Sequence, residues 1–192
     1  MSIYPQRIST MSAPHLETKR LRLAPHAPKD MLALIQGPDA YERSFGSPPA
    51  AGLRDFIVSK DVSPDYLARL DASMAADPWT HGFGLIHTDT GKVIGFGGFK
   101  GPPGTEGVVE IAYGVVPDYQ GKGFATEAAK ALVAYAFSSG RVRVVRAHTL
   151  AEPNASTRVL AKCGFRHLGE VIDPEDGLVW RWEKHNETVK SI

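Results

Sequence analysis

A chain of 192 residues with 43% hydrophobic and 22% charged residues can bury a core, which excludes an intrinsically disordered protein. The basic and acidic residues nearly cancel, 22 against 21, so no overall positive field attracts nucleic acid or an anionic membrane, and neither is an expected partner. The single cysteine, Cys163, excludes an internal disulfide framework and favours a reducing compartment, so we expect a cytoplasmic protein.

Residues 1–15 contain two prolines and several hydroxyl side chains but no apolar run of signal-peptide or membrane-spanning length. We expect these residues to form a flexible leader. Residues 16–192 have the usual size of one domain and are expected to fold as a single unit.

The first part of this domain is predicted to combine one strand with helices. In residues 16–24, leucines alternate with arginines, which predicts a strand with one exposed face. Asp30 is placed to cap a short helix that ends at Gly37. Residues 41–61 hold scattered glycines and prolines and permit no firm assignment, whereas residues 63–74 have helical spacing behind a proline.

The second part alternates strands and helices in a more regular order. Residues 82–99 change to a period of two around a turn at residues 89–91, which predicts a β-hairpin, so the sheet is at least partly antiparallel. A strand at 108–116, a tight glycine loop, a helix at 124–137 and a strand at 142–150 form a crossover unit, in which the two strands run parallel. The later predicted elements are a helix at 156–163 closed by Gly164 and Phe165, and strands at 168–172 and 178–183.

The loop Gln120-Gly121-Lys122-Gly123-Phe124-Ala125 opens directly into the longest predicted helix. Unpaired N–H groups and the positive end of the helix dipole meet there, and glycines let a ligand approach the backbone, which favours phosphate binding. The alternative is a tight strand-to-helix turn without a ligand. The loop lacks the Lys-Ser/Thr of a nucleotide P-loop and the spacing of the dinucleotide fingerprint, so ATP and NAD are poorly supported.

At every fixed position this loop resembles the signature of the GNAT acetyltransferase superfamily, Gln/Arg-x-x-Gly-x-Gly/Ala at the start of the central helix. The runs at residues 16–23, 110–117, 126–128 and 158–165 resemble the branch that contains ribosomal-protein N-terminal acetyltransferases. The resemblance implies an α/β (α+β) fold, with a mixed, mostly antiparallel central sheet whose parallel strands 4 and 5 splay apart between flanking helices. It also implies acetyl-CoA as co-substrate and, as acceptor, an amine-bearing small molecule or a protein N-terminus.

The same resemblance assigns the cofactor-binding residues. The pantetheine arm lies between the splayed strands and pairs with the backbone near Val115 and Val116. Relatives often carry Asn-x-x-Ser near the start of the last helix, where this chain is one residue shorter, so Asn154 either contacts the pantetheine arm or the amine, or caps the helix. The residues expected around the phosphates are Gln120, Gly121, Lys122, Gly123, Phe124, Ala125 and Thr126.

Two side chains are candidates for the catalytic roles. A lysine-like amine is almost wholly protonated at neutral pH, so a base is useful, and the resemblance makes Glu110 the candidate, directly or through a water. The alternative is an exposed strand acid or the partner of an arginine. Many relatives place a tyrosine acid where this chain has Leu160, and in the resembled branch a serine takes that role, which Ser156 would fill. The alternative for Ser156 is a helix N-cap.

The remaining features of the sequence favour no other chemistry. The seven histidines form no pair with metal-ligand spacing, so no metal is expected, and His148 is interpreted as a strand residue. Trp180 and Trp182 share one face of the last strand and are interpreted as core residues or as a wall of the acceptor pocket. A second hypothesis is a non-catalytic acyl-CoA sensor, and edge strands near the C-terminus allow a homodimer.

Overall fold

The computed structural model describes residues 14–57, 75–174 and 176–187. Eight strands form one sheet in the order β1-β2-β3-β4-β5-β6-β8-β7, and every neighbouring pair is antiparallel except β5 and β6. The mixed, mostly antiparallel sheet that the sequence indicated is confirmed. The strands are β1 Leu16–Glu17, β2 Leu21–Pro25, β3 Phe83–His87, β4 Val93–Phe99, β5 Val108–Val115, β6 Val144–Leu150, β7 Arg166–Asp173 and β8 Gly177–His185.

Helices cover both faces of this sheet. In the described residues they are α1 Pro28–Gln36, α2 Pro38–Phe45, α3 Leu53–Ile57, α4 Pro78–His81, α5 Phe124–Ser138 and α6 Ala155–Lys162. A Cβ on Gly97 would lie 3.1 Å from Leu132 of α5, whereas a Cβ on Gly114 would lie 2.6 Å from Phe56 of α3. Because adjacent strand residues point to opposite faces, α5 and α3 lie on opposite sides of the sheet. We call these the α5 face and the α3 face.

Two predictions for the first part of the chain, the strand over residues 16–24 and the Asp30 cap, are corrected by the structure. Residues 16–24 do not form one strand, because the Thr18 N–H donates to the Leu21 carbonyl and the chain turns between β1 and β2. Asp30 does not cap α1, which begins at Pro28; it lies in the first turn and accepts from the N–H of Ala27 at 2.8 Å. The unassigned residues 41–61 contribute to α2 and α3, and the helix predicted over 63–74 lies outside the described residues.

The second part follows the predicted order. The hairpin, the strand–loop–helix–strand unit and the final pair of strands are all present, with ends that move by a few residues. Gly164 takes φ +77° after α6, its N–H donates to Ala161 O, and the Phe165 N–H donates to Leu160 O. This is the glycine cap that the sequence predicted for the helix.

The sheet splits between its two parallel strands, β5 and β6. These are the predicted strands 4 and 5, and their numbers change because the first predicted strand is two strands in the structure. Their pairing covers only three residue pairs, from Val108 with Val144 to Glu110 with Arg146. Beyond Glu110, β5 stays paired with β4 up to Val115, and β6 stays paired with β8. Each strand therefore follows a different neighbour, which leaves a free backbone edge on both sides of the split.

Candidate active site

The glycine loop lies at the open end of the split. After β5 a single 3₁₀ turn, Pro117–Tyr119, leads into residues 120–123 and then into α5. Gly121 and Gly123 have φ values of +72° and +86°, which residues other than glycine rarely adopt. A Cβ on Gly121 would meet no atom within 4 Å, so this side of the loop is open to a ligand.

The first turn of α5 supplies donors at the same point. The Glu127 N–H makes the first bond of the helix, to the Gly123 carbonyl at 3.1 Å, so the N–H groups of the three preceding residues have no partner within the helix. The loop is tied to the strand because Nε2 of Gln120 donates to the Val115 carbonyl at 2.8 Å. The geometry therefore fits a phosphate group, for which helix N-termini are suited.

A network that the sequence did not predict anchors this loop to the N-terminal hairpin. The Glu127 carboxylate accepts from Thr18 Oγ1 at 2.6 Å, from the Arg20 N–H at 2.7 Å and from Arg20 Nε at 2.9 Å. Nη1 of Arg20 donates to the Lys122 carbonyl, and its guanidinium lies 4.4 Å from the centre of the Phe124 ring. The runs containing Arg20 and Glu127 both carried the resemblance, but a contact between residues 107 positions apart leaves no local pattern.

A cleft of about 380 Å³ extends from the loop between β5 and α6. The predicted cofactor residues that line it are Val115, Gln120, Gly121, Gly123, Phe124, Ala125 and Thr126, and Ser156 lines it as well. Three predicted residues lie outside this lining. Lys122 turns away, with Nζ donating to the Asp118 carbonyl, and Asn154 caps α6 by accepting from the Thr157 N–H at 3.0 Å.

Val116 is also outside the lining, and both of its backbone groups are already bonded. Its N–H donates to Ile94 O, and its carbonyl accepts from the Tyr119 N–H, both at 2.9 Å. Hydrogen bonds alternate along an antiparallel pair, so the backbone groups of Tyr113 and Val115 point away from β4 and into the split. The free edge of β5 thus offers both backbone groups of Tyr113 and the N–H of Val115, whose carbonyl already accepts from Gln120 Nε2, whereas the backbone groups of Val116 are bonded within the protein.

A second cavity, of about 210 Å³, passes through the split in the sheet. Ile111 and Leu160 line it from the α5 face, and Glu110 and His148 line it from the α3 face, as the strand alternation requires. Tyr113 and Ser156 line both this cavity and the first cleft. The two spaces therefore meet beside these two side chains.

Glu110 contacts two basic side chains in the second cavity. Its Oε1 lies 2.9 Å from Lys100 Nζ, and its Oε2 lies 3.2 Å from Nδ1 of His148, while its own side chain is 18% exposed. The hydrogen bond that Lys100 donates to Glu110 raises the pKa of Lys100 despite partial burial of the amine. The neighbours of Glu110 are thus a lysine and a histidine instead of the arginine that the alternative named.

The candidates for the proton donor differ in their surroundings. Ser156 is exposed and occupies the second position of α6, so its alternative as the N-cap is wrong because Asn154 holds that place. Leu160 is fully buried. The hydroxyl of Tyr113 is buried without a hydrogen-bond partner, and its burial raises the pKa of the phenol. Of the hydroxyls near the meeting point, Ser156 is the one open to solvent.

The three tryptophans pack against other aromatic rings. Trp180 and Trp182 share a face, both packing on His167, and the Nε1–H of Trp182 donates to Thr149 Oγ1. Buried Trp79 packs on Phe99, as expected for a core residue.

The described residues contain no group of three or more histidine, cysteine or acidic side chains arranged to hold a metal ion. In the same part of the chain, no helix combines the length and apolar character needed to cross a bilayer.

Solved structures share this architecture. The ribosomal-protein-S5-alanine acetyltransferase of Vibrio fischeri superimposes with a TM-score of 0.64 at 16% identity, covering 93% of this chain and 100% of the other. RimL, a ribosomal α-N-protein acetyltransferase in complex with coenzyme A, gives 0.61 at 13% identity, covering 90% and 98%. A GNAT acetyltransferase of Bacillus anthracis gives 0.60 at 21% identity, again covering 90% and 98%. This chain therefore shares the fold of these proteins.

The family follows from the sequence comparison. The family profile described as "Acetyltransferase (GNAT) domain" matches residues 20–166, and the chain belongs to this family, whose members transfer acetyl groups. Curated relatives include "Uncharacterized N-acetyltransferase YjdG" of Bacillus subtilis, 26% identical over 58% of this chain, and "Uncharacterized N-acetyltransferase p20" of Bacillus licheniformis, 33% identical over 48%. The matches span 64% and 52% of those two relatives.

Proposed function

We propose that this chain transfers the acetyl group of acetyl-CoA to a primary amine by direct attack, with both substrates bound at once. The observation that carries the proposal is the second cavity, which crosses the sheet at the split and meets the first cleft at Tyr113 and Ser156. A thioester reaching that point from the cleft would be open to a nucleophile from the other face. Holding two reactants together in this way can lower a barrier by about 7–11 kcal/mol in favourable systems.

In the cofactor half, the residues present fit a pyrophosphate at the glycine loop and a pantetheine arm along β5. The phosphate oxygens would accept from the N–H groups that open α5, near Gly121 and Gly123. The pantetheine amides would pair with the free backbone groups of Tyr113 and with the N–H of Val115, since the Val115 carbonyl already accepts from Gln120. Recognition would then depend largely on backbone groups.

In the acceptor half, two protons must leave the nitrogen of an ammonium group while a C–N bond forms and the C–S bond breaks. Glu110 would take the first proton, and the second would pass to the departing sulfur, with the Ser156 hydroxyl as the nearby donor. Lys100 already holds an ammonium group 2.9 Å from Glu110 Oε1, so a substrate ammonium at that oxygen would replace it.

The acceptor class that suits this cavity is an unhindered primary amine, either a protein N-terminal α-amine or a small-molecule amine. An α-amine has a reference pKa of about 8, so a larger fraction is neutral at physiological pH than for a lysine amine at about 10.4. Two of the structural neighbours above are named as acetyltransferases of ribosomal proteins, which supports including protein N-termini among the acceptors tested.

The cofactor half is tested by Gly121→Ala with Gly91→Ala as the matched control. Both glycines have φ near +70°, and neither has an atom within 4 Å of its would-be Cβ, so both variants carry the same strain of about 1–2 kcal/mol. Gly91 lies in the β3–β4 turn, away from the cleft. Calorimetric titration should show weaker coenzyme A binding only for Gly121→Ala. Equal affinity in both variants would remove the loop from the proposed site.

The acceptor half is tested by Glu110→Gln against Glu183→Gln. Both carboxylates lie on inner strands and are ion-paired, and Glu183, at 12% exposure, contacts Arg146 at 2.6 Å without lining either cavity. Thiol release from acetyl-CoA with a panel of peptide and small-molecule amines should fall about a hundredfold or more in Glu110→Gln and little in the control. A wild-type chain that binds acetyl-CoA but releases no thiol with any amine would support the sensor instead.

A further inference from the structure

A hydrogen bond to one nitrogen of the His148 ring indicates which nitrogen carries the ring proton. Nε2 of His148 accepts from Nε of Arg181 at 3.3 Å, on the neighbouring strand β8. A guanidinium group only donates, so Nε2 must present a lone pair. With Nε2 as acceptor, Nδ1 is the ring nitrogen that carries the proton.

That Nδ1 proton is buried beside the carboxylate of Glu110. His148 is 7% exposed, and Nδ1 lies 3.2 Å from Glu110 Oε2 and 3.9 Å from Asp173 Oδ2. The first contact is short but not aligned as a hydrogen bond, so Nδ1 has no partner of good geometry.

The two oxygens of Glu110 therefore face different surroundings. Oε2 lies against the buried His148 ring, which Arg181 fixes from the other side. Oε1 faces Lys100, a flexible side chain that is 43% exposed and can be displaced. One oxygen is thus held by the sheet and the other is open to exchange with a ligand.

We propose that His148 is a positioning residue that holds Oε2 of Glu110 through its Nδ1–H, so that Oε1 is presented to the acceptor amine. This inference rests on the proposed function, since it assigns His148 to the base of that reaction. The strand position of His148 suits this role, because β6 carries the ring on the same face as Glu110, directly across the split.

The kinetic test compares His148→Asn with His148→Gln. The asparagine amide places an N–H donor near the position of Nδ1, whereas the glutamine amide reaches the position of Nε2. His148→Gln should lower kcat about tenfold to a hundredfold, the effect of a misplaced catalytic group, with the KM for acetyl-CoA unchanged. His148→Asn should recover most of kcat. His185→Gln, which removes an exposed histidine beside Glu183, should match the wild type.

Two further measurements separate positioning from a general loss of structure. In a Glu110→Gln background, His148→Gln should cause no additional loss, because the residue through which it acts is already disabled. Full additivity, or equal losses in the Asn and Gln variants, would overturn the proposal. Circular dichroism checks that each variant folds.

The third measurement does not depend on turnover. Nitrogen-15 NMR of the histidine rings should show a protonated Nδ1 and an unprotonated Nε2 for His148, and Glu110→Gln should shift the Nδ1 signal. The opposite tautomer, or no shift, would overturn the inference. A chain that turns over no amine would defeat the proposed function, while the ring spectrum would still decide whether His148 donates to Glu110.

Discussion

Replacing Glu127 by glutamine tests whether the network around the glycine loop holds the loop in place. The substitution keeps the shape of the side chain but removes its charge. One oxygen can still accept, whereas the new amide would face Nε and Nη2 of Arg20, which lie 2.9 and 2.8 Å from the present carboxylate oxygen. Two donors would then oppose each other, and Arg20 would lose its main anchor.

The size of the effect follows from the burial of the pair. Exposed ion pairs contribute about 0–1 kcal/mol, and breaking a buried pair costs about 3–5 kcal/mol. Arg20 is 36% exposed and Glu127 17%, so we expect about 2 kcal/mol. For a chain of this size, that lowers Tm by about 4–8 °C. Coenzyme A affinity should fall as well, because Arg20 also holds the Lys122 carbonyl and the Phe124 ring.

The pH dependence adds a second check. Burial alone raises the pKa of Glu127, but the hydrogen bonds from Thr18 and Arg20 and the guanidinium charge together lower it below 4.5. The ionised carboxylate therefore stabilises the fold above that value, and this stabilisation is lost as the pH falls through the lowered pKa. Urea titrations should show a gap between wild type and Glu127→Gln that is present at neutral pH and closes in acid.

The control for this experiment is Glu42→Gln, which changes an exposed acid on α2. The reasoning is refuted if Glu127→Gln and Glu42→Gln unfold at the same urea concentration at neutral pH. It is also refuted if Glu127→Gln loses stability but binds coenzyme A as the wild type does, because the network would then support the fold without positioning the loop.

Three other substitutions probe the rest of the fold. Burial, with a smaller effect of the His81 charge, lowers the pKa of His26 to about 3. The free energy of unfolding of the wild type should therefore fall by about 3 kcal/mol between neutral pH and pH ~4. Urea titrations should show that His26→Gln largely abolishes this fall. Asn154→Ala removes the α6 cap and should cost about 1 kcal/mol, whereas Asn154→Asp should be nearly neutral. A Cβ on Gly95 would clash with the Gly114 carbonyl, so Gly95→Ala should cost about 1–3 kcal/mol by thermal unfolding and distort β5.

The parts of the fold that the sequence predicted depend on short-range patterns. The loop at Gly121 and Gly123, the helix behind it and the parallel strands on either side follow from periodicity and glycine placement within about forty residues. The cap at Gly164 and Phe165 is equally local. In these segments each residue's preference agrees with its final environment.

The parts that the sequence did not predict depend on contacts between distant residues. The turn between β1 and β2 is stabilised by Thr18 and by Glu127, which lies 109 residues further along the chain. The partners of Glu110 are another example, because Lys100 and His148 come from two other parts of the sheet. Neither histidine spacing nor strand pattern indicated that β6 would place His148 across the split.

The two halves of the candidate site therefore have different tolerance to change. The cofactor half consists mainly of backbone groups, which glycine placement and helix formation fix together. The acceptor half consists of side chains from separate strands, so a substitution at Lys100 can alter which amines approach Glu110 without moving the loop. Lys100→Met should accordingly change the relative KM values of different amines while coenzyme A affinity stays constant in calorimetry. A parallel change in both would mean that the two cavities are coupled through the shared residues Tyr113 and Ser156.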